Sequence, residues 1–167
     1  MAGESRLDPK LVNLCERFSS SILFDFPIDR TRFLLALSGI ESSFGRNNVK
    51  RFEPAYAPGG RYFKAEHLQK AHEKFGDDAS CSWGPWQILY IVCQEYGYEG
   101  EPKDLEDGEV SGPYVIKHLN RFAWYGADTV EKVLDAYNSG NHRDKNVPEA
   151  YIEKFWKHYS EINLERT

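Results

Sequence analysis

The chain is poor in the residues that fasten small proteins together. Its 167 residues include one Met and three cysteines, Cys15, Cys81 and Cys93. The count is odd and no two are spaced as CxxC, which argues against a disulfide framework and against a cysteine zinc site. The thiols read as reduced, although Cys81 and Cys93 remain available as one bridging pair. Positive charge is not in excess either. Lys and Arg number 21 against 26 Asp and Glu, a formal net charge of −5. Nucleic acid is therefore a poor candidate partner, because phosphate binding calls for a basic stripe. No uninterrupted apolar run is long enough to span a membrane. Glu4, Arg6, Asp8 and Lys10 mark the beginning of the chain, and no apolar segment follows them, so no secretory signal is expected. The five histidines have no metal-ligand spacing; His67 and His72, five apart, do not share a helical face well. No cofactor is implied. Internal repeats and low-complexity stretches are missing as well.

Aromatic residues are plentiful: four Trp, ten Tyr and ten Phe. The length suits one domain over residues 1–167, with a core from about 8 to 160. Asp8-Pro9 is an N-cap followed by Pro at the first helical position, opening a stripe of Leu11, Leu14, Cys15 and Phe18. Asp29 caps a second helix over Thr31 to Ser43. Residues 45 to 83 are irregular, apart from a short helix within Lys64 to Phe75. Leu89 to Tyr96 is expected to be helical, while the β-branched content of Gln87 to Val92 reads as either helix or strand. Further helices are expected over Val110 to Phe122, from Asp128 or Thr129 to a stop at Gly140, and from Pro148 onward. Asn141 to Asn146 reads as a polar loop. The fold class is mainly α, an α+β single domain with a small sheet or irregular insert after the second helix.

That second helix carries the most informative stretch. Phe33, Leu37, Ile40 and Phe44 recur at spacings of four, three and four, one face of a helix. Glu41 borders this face. A carboxylate there is partly desolvated, and desolvation raises its pKa because the charged form is disfavoured. A carboxyl that keeps its proton near neutral pH is what a general acid needs. A solvated Glu at a helix end is the plain alternative. Ser42 and Ser43 lack the surroundings of a nucleophile.

Three motifs in order carry a resemblance. Glu41-Ser42-Ser43-Phe44 closes the apolar helix, Gly84-Pro85-Trp86-Gln87-Ile88 follows, and Ala136-Tyr137-Asn138-Ser139-Gly140 comes late, with Pro148 and Tyr151 after it. This order resembles the soluble-type lytic transglycosylases and goose-type lysozymes, which share the lysozyme-like fold. Their pattern is Glu-Ser, Gly-Leu-Met-Gln, Ala-Tyr-Asn-x-Gly and a Tyr in the closing helix. The likeness spans about Arg32 to Tyr159. Two departures stand out: Pro85-Trp86 replaces Leu-Met, and the separation of Glu41 from Gly84 is longer than usual; the Arg51-Phe52-Glu53-Pro54 insert and the Ser82-Trp83-Gly84-x-x-Gln87-Ile88 block resemble phage-type muramidases more closely.

The resemblance implies cleavage of peptidoglycan between N-acetylmuramic acid and N-acetylglucosamine, with Glu41 as acid and then base. It implies assistance from the substrate's own acetamido group and a 1,6-anhydro product. Gln87, Trp86, Tyr137, Asn138 and Tyr151 are then expected to meet the substrate, with Tyr159 competing for the role of Tyr151; Trp83 and Tyr90 are further candidates to line the cleft, with core packing as their default reading. A water-using version needs a second carboxylate, for which Glu53 is the candidate and Glu66, Asp77 and Asp78 are weaker. The expected partner is a glycan strand, met by a monomer. Synthesis in the cytoplasm and action on the cell wall through phage lysis, a virion or dedicated export complete the expectation. A glycan-binding or structural protein with an idle Glu41 is the non-enzymatic alternative.

Overall fold

Asp8 starts the first helix as its side chain accepts the Lys10 amide at 3.0 Å, and Pro9 fixes the first turn. The computed structural model describes residues 7–139 and 148–164. Helix α1 (Pro9–Ser19) buries Leu11, Val12, Leu14 and Cys15. Helix α2 (Arg30–Ser42) starts in the same way, with the Asp29 carboxylate accepting the Arg32 amide at 3.1 Å.

Every residue of α2 from Phe33 to Gly39 is buried. The expected face of Phe33 and Leu37 is therefore only part of its contact surface; Leu34, Leu35 and Ala36 are as deeply buried. A helix apolar all round belongs inside, with neighbours on more than one side. Here α1 covers one side and α7 (Glu149–Glu161) another. Phe155 of α7 meets Phe33 with ring centroids 5.3 Å apart.

The chain leaves α2 through an unusual turn. Ser43, Phe44 and Gly45 all have positive φ, at 51°, 60° and 82°. Two successive non-glycine residues there cost on the order of 1–2 kcal/mol each. The turn is held by Ser42, whose hydroxyl donates to the Pro85 carbonyl at 2.6 Å and accepts the Gly45 amide at 2.9 Å. The Glu41 end of the helix is thereby fastened to the 84–87 segment.

Residues 45–89 hold the sheet. Strands β1 (Arg51–Phe52), β2 (Cys81–Trp83) and β3 (Ile88–Leu89) are antiparallel in that order. Arg51 is paired with Ser82, and Ser82 with Leu89. Between β1 and β2 lies α3 (Glu66–Phe75), flanked by short 3-10 turns. The stretch that reads equally as strand or helix is both: β3 passes directly into α4 (Tyr90–Glu95). The β2–β3 turn requires glycine. Gly84 has φ +82°, and a Cβ there would lie 2.6 Å from the Leu105 carbonyl oxygen.

Helix α5 (Gly108–Trp124) starts at Asp107, whose carboxylate accepts the Glu109 amide at 2.9 Å. Helix α6 is Val130–Ser139. The expected stop at Gly140 and loop at Asn141–Asn146 lie outside the described residues. Mainly helical architecture with one small antiparallel sheet is thus observed, and one hydrophobic cluster draws on every α-helix except α3's outer face. Among the described residues no helix is long and apolar enough to cross a membrane. All three cysteines are free and buried, so Cys81 and Cys93 are not paired; the Cys81 thiol donates to the Asp77 carbonyl at 3.3 Å.

Candidate active site

Glu41 is the penultimate residue of α2, and its side chain is only 11% exposed. It forms the floor of a cleft of about 1110 Å³ between the sheet with its insert and helices α4 to α7. Such a volume lies at or above the ~300–1,000 Å³ typical of small-molecule pockets, which suits an extended ligand.

Each carboxylate oxygen has its own partner. Tyr151 of α7 donates its hydroxyl proton to Oε1 at 2.9 Å. Arg51 of β1 donates from Nη2 to Oε2 at 2.5 Å. The Arg51 Nε also donates to Gln87 Oε1 at 2.8 Å. Gln87 in turn donates from Nε2 to the carbonyls of Gly84 at 3.0 Å and Val49 at 3.3 Å. Ser82, the cross-strand partner of Arg51, lies with its hydroxyl 3.3 Å from both Gln87 Oε1 and Glu53 Oε1. The register accounts for this cluster. Cross-strand partners project to one face of a sheet, and Arg51 and Glu53, two residues apart, share that face.

Burial pushes the Glu41 carboxyl above its ordinary value. The charge of Arg51 and the hydrogen bonds from Tyr151 and Arg51 pull it back, while the charge of Glu53 adds to the rise; the net direction is up. Glu41 is thus a carboxyl that the protein makes reluctant to ionise, tempered by one guanidinium. Burial and the Glu41 charge push the Tyr151 phenol well above its usual range, so it stays a donor.

The other expected residues divide. Gln87 is buried, with positive φ (49°), and lines the cleft. Asn138 is exposed on the cleft wall. Tyr137 also lines it, but its hydroxyl donates to the Trp86 carbonyl at 2.5 Å. The Tyr137 proton is therefore committed inside the protein rather than offered to a ligand. Tyr151 and not Tyr159 reaches Glu41; the Tyr159 hydroxyl accepts the Asp29 amide at 3.1 Å. Glu53 does share the cleft with Glu41. Glu66 pairs with Lys70 at 3.0 Å, Asp78 pairs with Lys50 at 2.5 Å, and Asp77 sits in an exposed turn; none lines the cleft.

Trp86 needs correction. It is 1% exposed, and its indole donates to the Leu34 carbonyl of α2 at 3.0 Å. A large ring beside an all-round apolar helix gains more from burial than from facing water, and its N–H found a partner there. It is packed beneath the cleft rather than lining it. Trp83 and Tyr90 are core residues as well, with polar atoms spent on the carbonyls of Asp78 and Gly100.

Several cleft residues were not foreseen. Arg51 and Ser82 are the nearest; both lie in the stretch read as irregular, where no local pattern marked a strand. Tyr56 and Tyr62 of the insert, with ring centroids 5.1 Å apart, form one wall. Glu95 of α4, His118 and Arg121 of α5, and Tyr125 just after α5 form another. Among the described residues no group of three metal-ligating side chains is placed to hold a metal ion. No protein-family model, curated protein or solved structure matches the chain.

Proposed function

We propose that the chain is a peptidoglycan-cleaving enzyme of lysozyme-like fold that breaks the β-1,4 bond between N-acetylmuramic acid and N-acetylglucosamine. One observation carries the reading: Glu41 is a largely buried carboxyl, reluctant to ionise, lining a cleft of about 1110 Å³. That is the environment of a general acid for glycoside cleavage. The motif order Glu41, Gln87, Tyr137-Asn138, Tyr151 supports it, since Glu41, Gln87, Tyr137, Asn138 and Tyr151 all border one cleft.

In this reading Glu41 gives its proton to the leaving glycosidic oxygen, which departs as the 4-hydroxyl of N-acetylglucosamine. The acetamido oxygen of the muramic unit supports the anomeric carbon. The 6-hydroxyl of the same unit then attacks that carbon and returns its proton to Glu41, so no water is consumed and a 1,6-anhydro end forms. A second reading is favoured by one observation, the presence of Glu53 in the same cleft. There Glu53 takes a proton from a water that attacks the anomeric carbon, and the product is a reducing end; a separation of about 6.5–9.5 Å would suit an inverting course.

Mass spectrometry of digested peptidoglycan, with wild type beside Glu41→Gln, tests both. Anhydro-muropeptides that vanish in the variant are expected, with a rate loss of about 10²-fold or more. Reducing-end products would transfer the assignment to the Glu53 hydrolase. Glycan binding without any product from the wild type would leave a binding protein and end the enzymatic reading.

A further inference from the structure

The two members of the Arg51–Glu41 pair differ in burial. The Arg51 side chain is 52% exposed, while the carboxylate it holds is 11% exposed. One partner is built into the cleft floor; the other reaches over it from the outer strand of the sheet. Arg51 is held at two points, by Glu41 Oε2 at 2.5 Å and Gln87 Oε1 at 2.8 Å.

The remaining groups around Glu41 narrow what Arg51 does. Tyr151 from α7 occupies Oε1, and Tyr137 from α6 sends its proton to the Trp86 carbonyl. Glu53, just after β1, carries the opposite charge to Arg51 and acts on Glu41 in the opposite sense. Oε2 is thus the oxygen left to deliver a proton, and Arg51 sits on it. A guanidinium favours the ionised carboxylate, whereas a general acid has to carry its proton into the reaction.

We propose that Arg51 is a positioning residue that masks Glu41, clamping Oε2 beside Gln87, and that it has to swing into the solvent it already faces before Glu41 protonates a ligand. This rests on the assignment of Glu41 as the acid. Arg51 then sets when the acid is armed, and Gln87 is the fixed point that returns it.

The test is a carbon-detected NMR titration of the Glu41 side-chain carboxyl, identified by its loss in Glu41→Gln, in the full chain. In Arg51→Gln the midpoint is expected to rise by about one unit or more, the size of effect a neighbouring opposite charge produces. The alkaline limb of the kcat/KM profile should move the same way. Arg51→Lys keeps the charge but cannot span both acceptors, so its midpoint should lie between the other two; it also serves if the Gln variant does not fold. Identical Glu41 midpoints in wild type and the folded variants overturn the proposal, whatever the activity does. A raised midpoint with no peptidoglycan cleavage by the wild type leaves Arg51 as the residue that holds Glu41 ionised and overturns the cleavage reading alone.

Discussion

At the scale of the residue, Glu41 carries a cost that its neighbours only partly offset. Its carboxyl is pushed above the ordinary 4.5, burial being the largest cause. The folded chain therefore binds this proton more tightly than the unfolded chain does. Stability contributed by the group is present below 4.5 and is lost as pH rises through the folded value. Glutamine has nothing to ionise. Glu41→Gln should thus melt higher than wild type at pH 7, by about 2–4 °C for each kcal/mol recovered. The difference should disappear in scans run well below pH 4.5. An unchanged or lower melting point at neutral pH would mean that the Arg51 pair outweighs desolvation. Trading stability for a poised acid is common at sites that act. The importance of Glu41 was legible from local spacing. Its pairing with Arg51 was not, because it depends on β1 lying against β2, a contact between Arg51 and Ser82 across thirty intervening residues that include α3.

At the scale of the element, the junction of α2 with α7 is the most sensitive. A Cβ at Gly39 would lie 2.6 Å from Phe44 Cζ and 3.0 Å from His158 Cδ2. The Phe44 and His158 rings already meet edge to face at 4.9 Å. Alanine favours a helix interior over glycine by up to ~1 kcal/mol. Overpacking opposes this with about 1–3 kcal/mol, and it wins here because two rings have to move. Gly39→Ala should lower the urea midpoint, with a net loss of about 1–2 kcal/mol. It should also slow any cleavage, since Tyr151 lies two turns before His158 on α7 and reaches Glu41 across this junction. A stabilised variant would show that Phe44 yields freely. The helix starts at Asp8 and Asp29 were readable because caps are local chemistry. The β3–α4 passage was not, since a two-residue strand exists only through its pairing with β2.

For the whole molecule, acid is the condition that separates its parts. His118 lies in the cleft wall, against Phe122 at 4.3 Å and hydrogen-bonded to the Tyr96 hydroxyl at 2.9 Å. Burial, and then the charge of Arg121, lower it from 6.5 to about 4. The folded chain thus keeps His118 neutral where the unfolded chain protonates it. Stability should fall as pH drops from 6.5 toward about 4, by on the order of 3 kcal/mol from this group. Denaturant unfolding across that range, with His118→Gln alongside, should show a shallower acid loss in the variant. Equal slopes would remove His118 from the account. Glu41 acts in the opposite sense over its own range, so the two variants should diverge as pH changes.

The sequence by itself determined most of the helices, the capped starts of α1 and α2, the apolar character of α2 and the position of a carboxyl at its end, because periodicity and capping act over a few residues. Only the tertiary structure decided which way Trp86 faces, that Tyr151 rather than Tyr159 meets Glu41, and that Arg51 and Gln87 clamp the same carboxylate. Trp86 reads as a cleft residue until α2 is seen to offer the Leu34 carbonyl. Arg51 reads as a surface charge until β1 is paired with β2. Contacts between residues far apart in the chain are fixed by packing and strand register, and neither leaves a local signature.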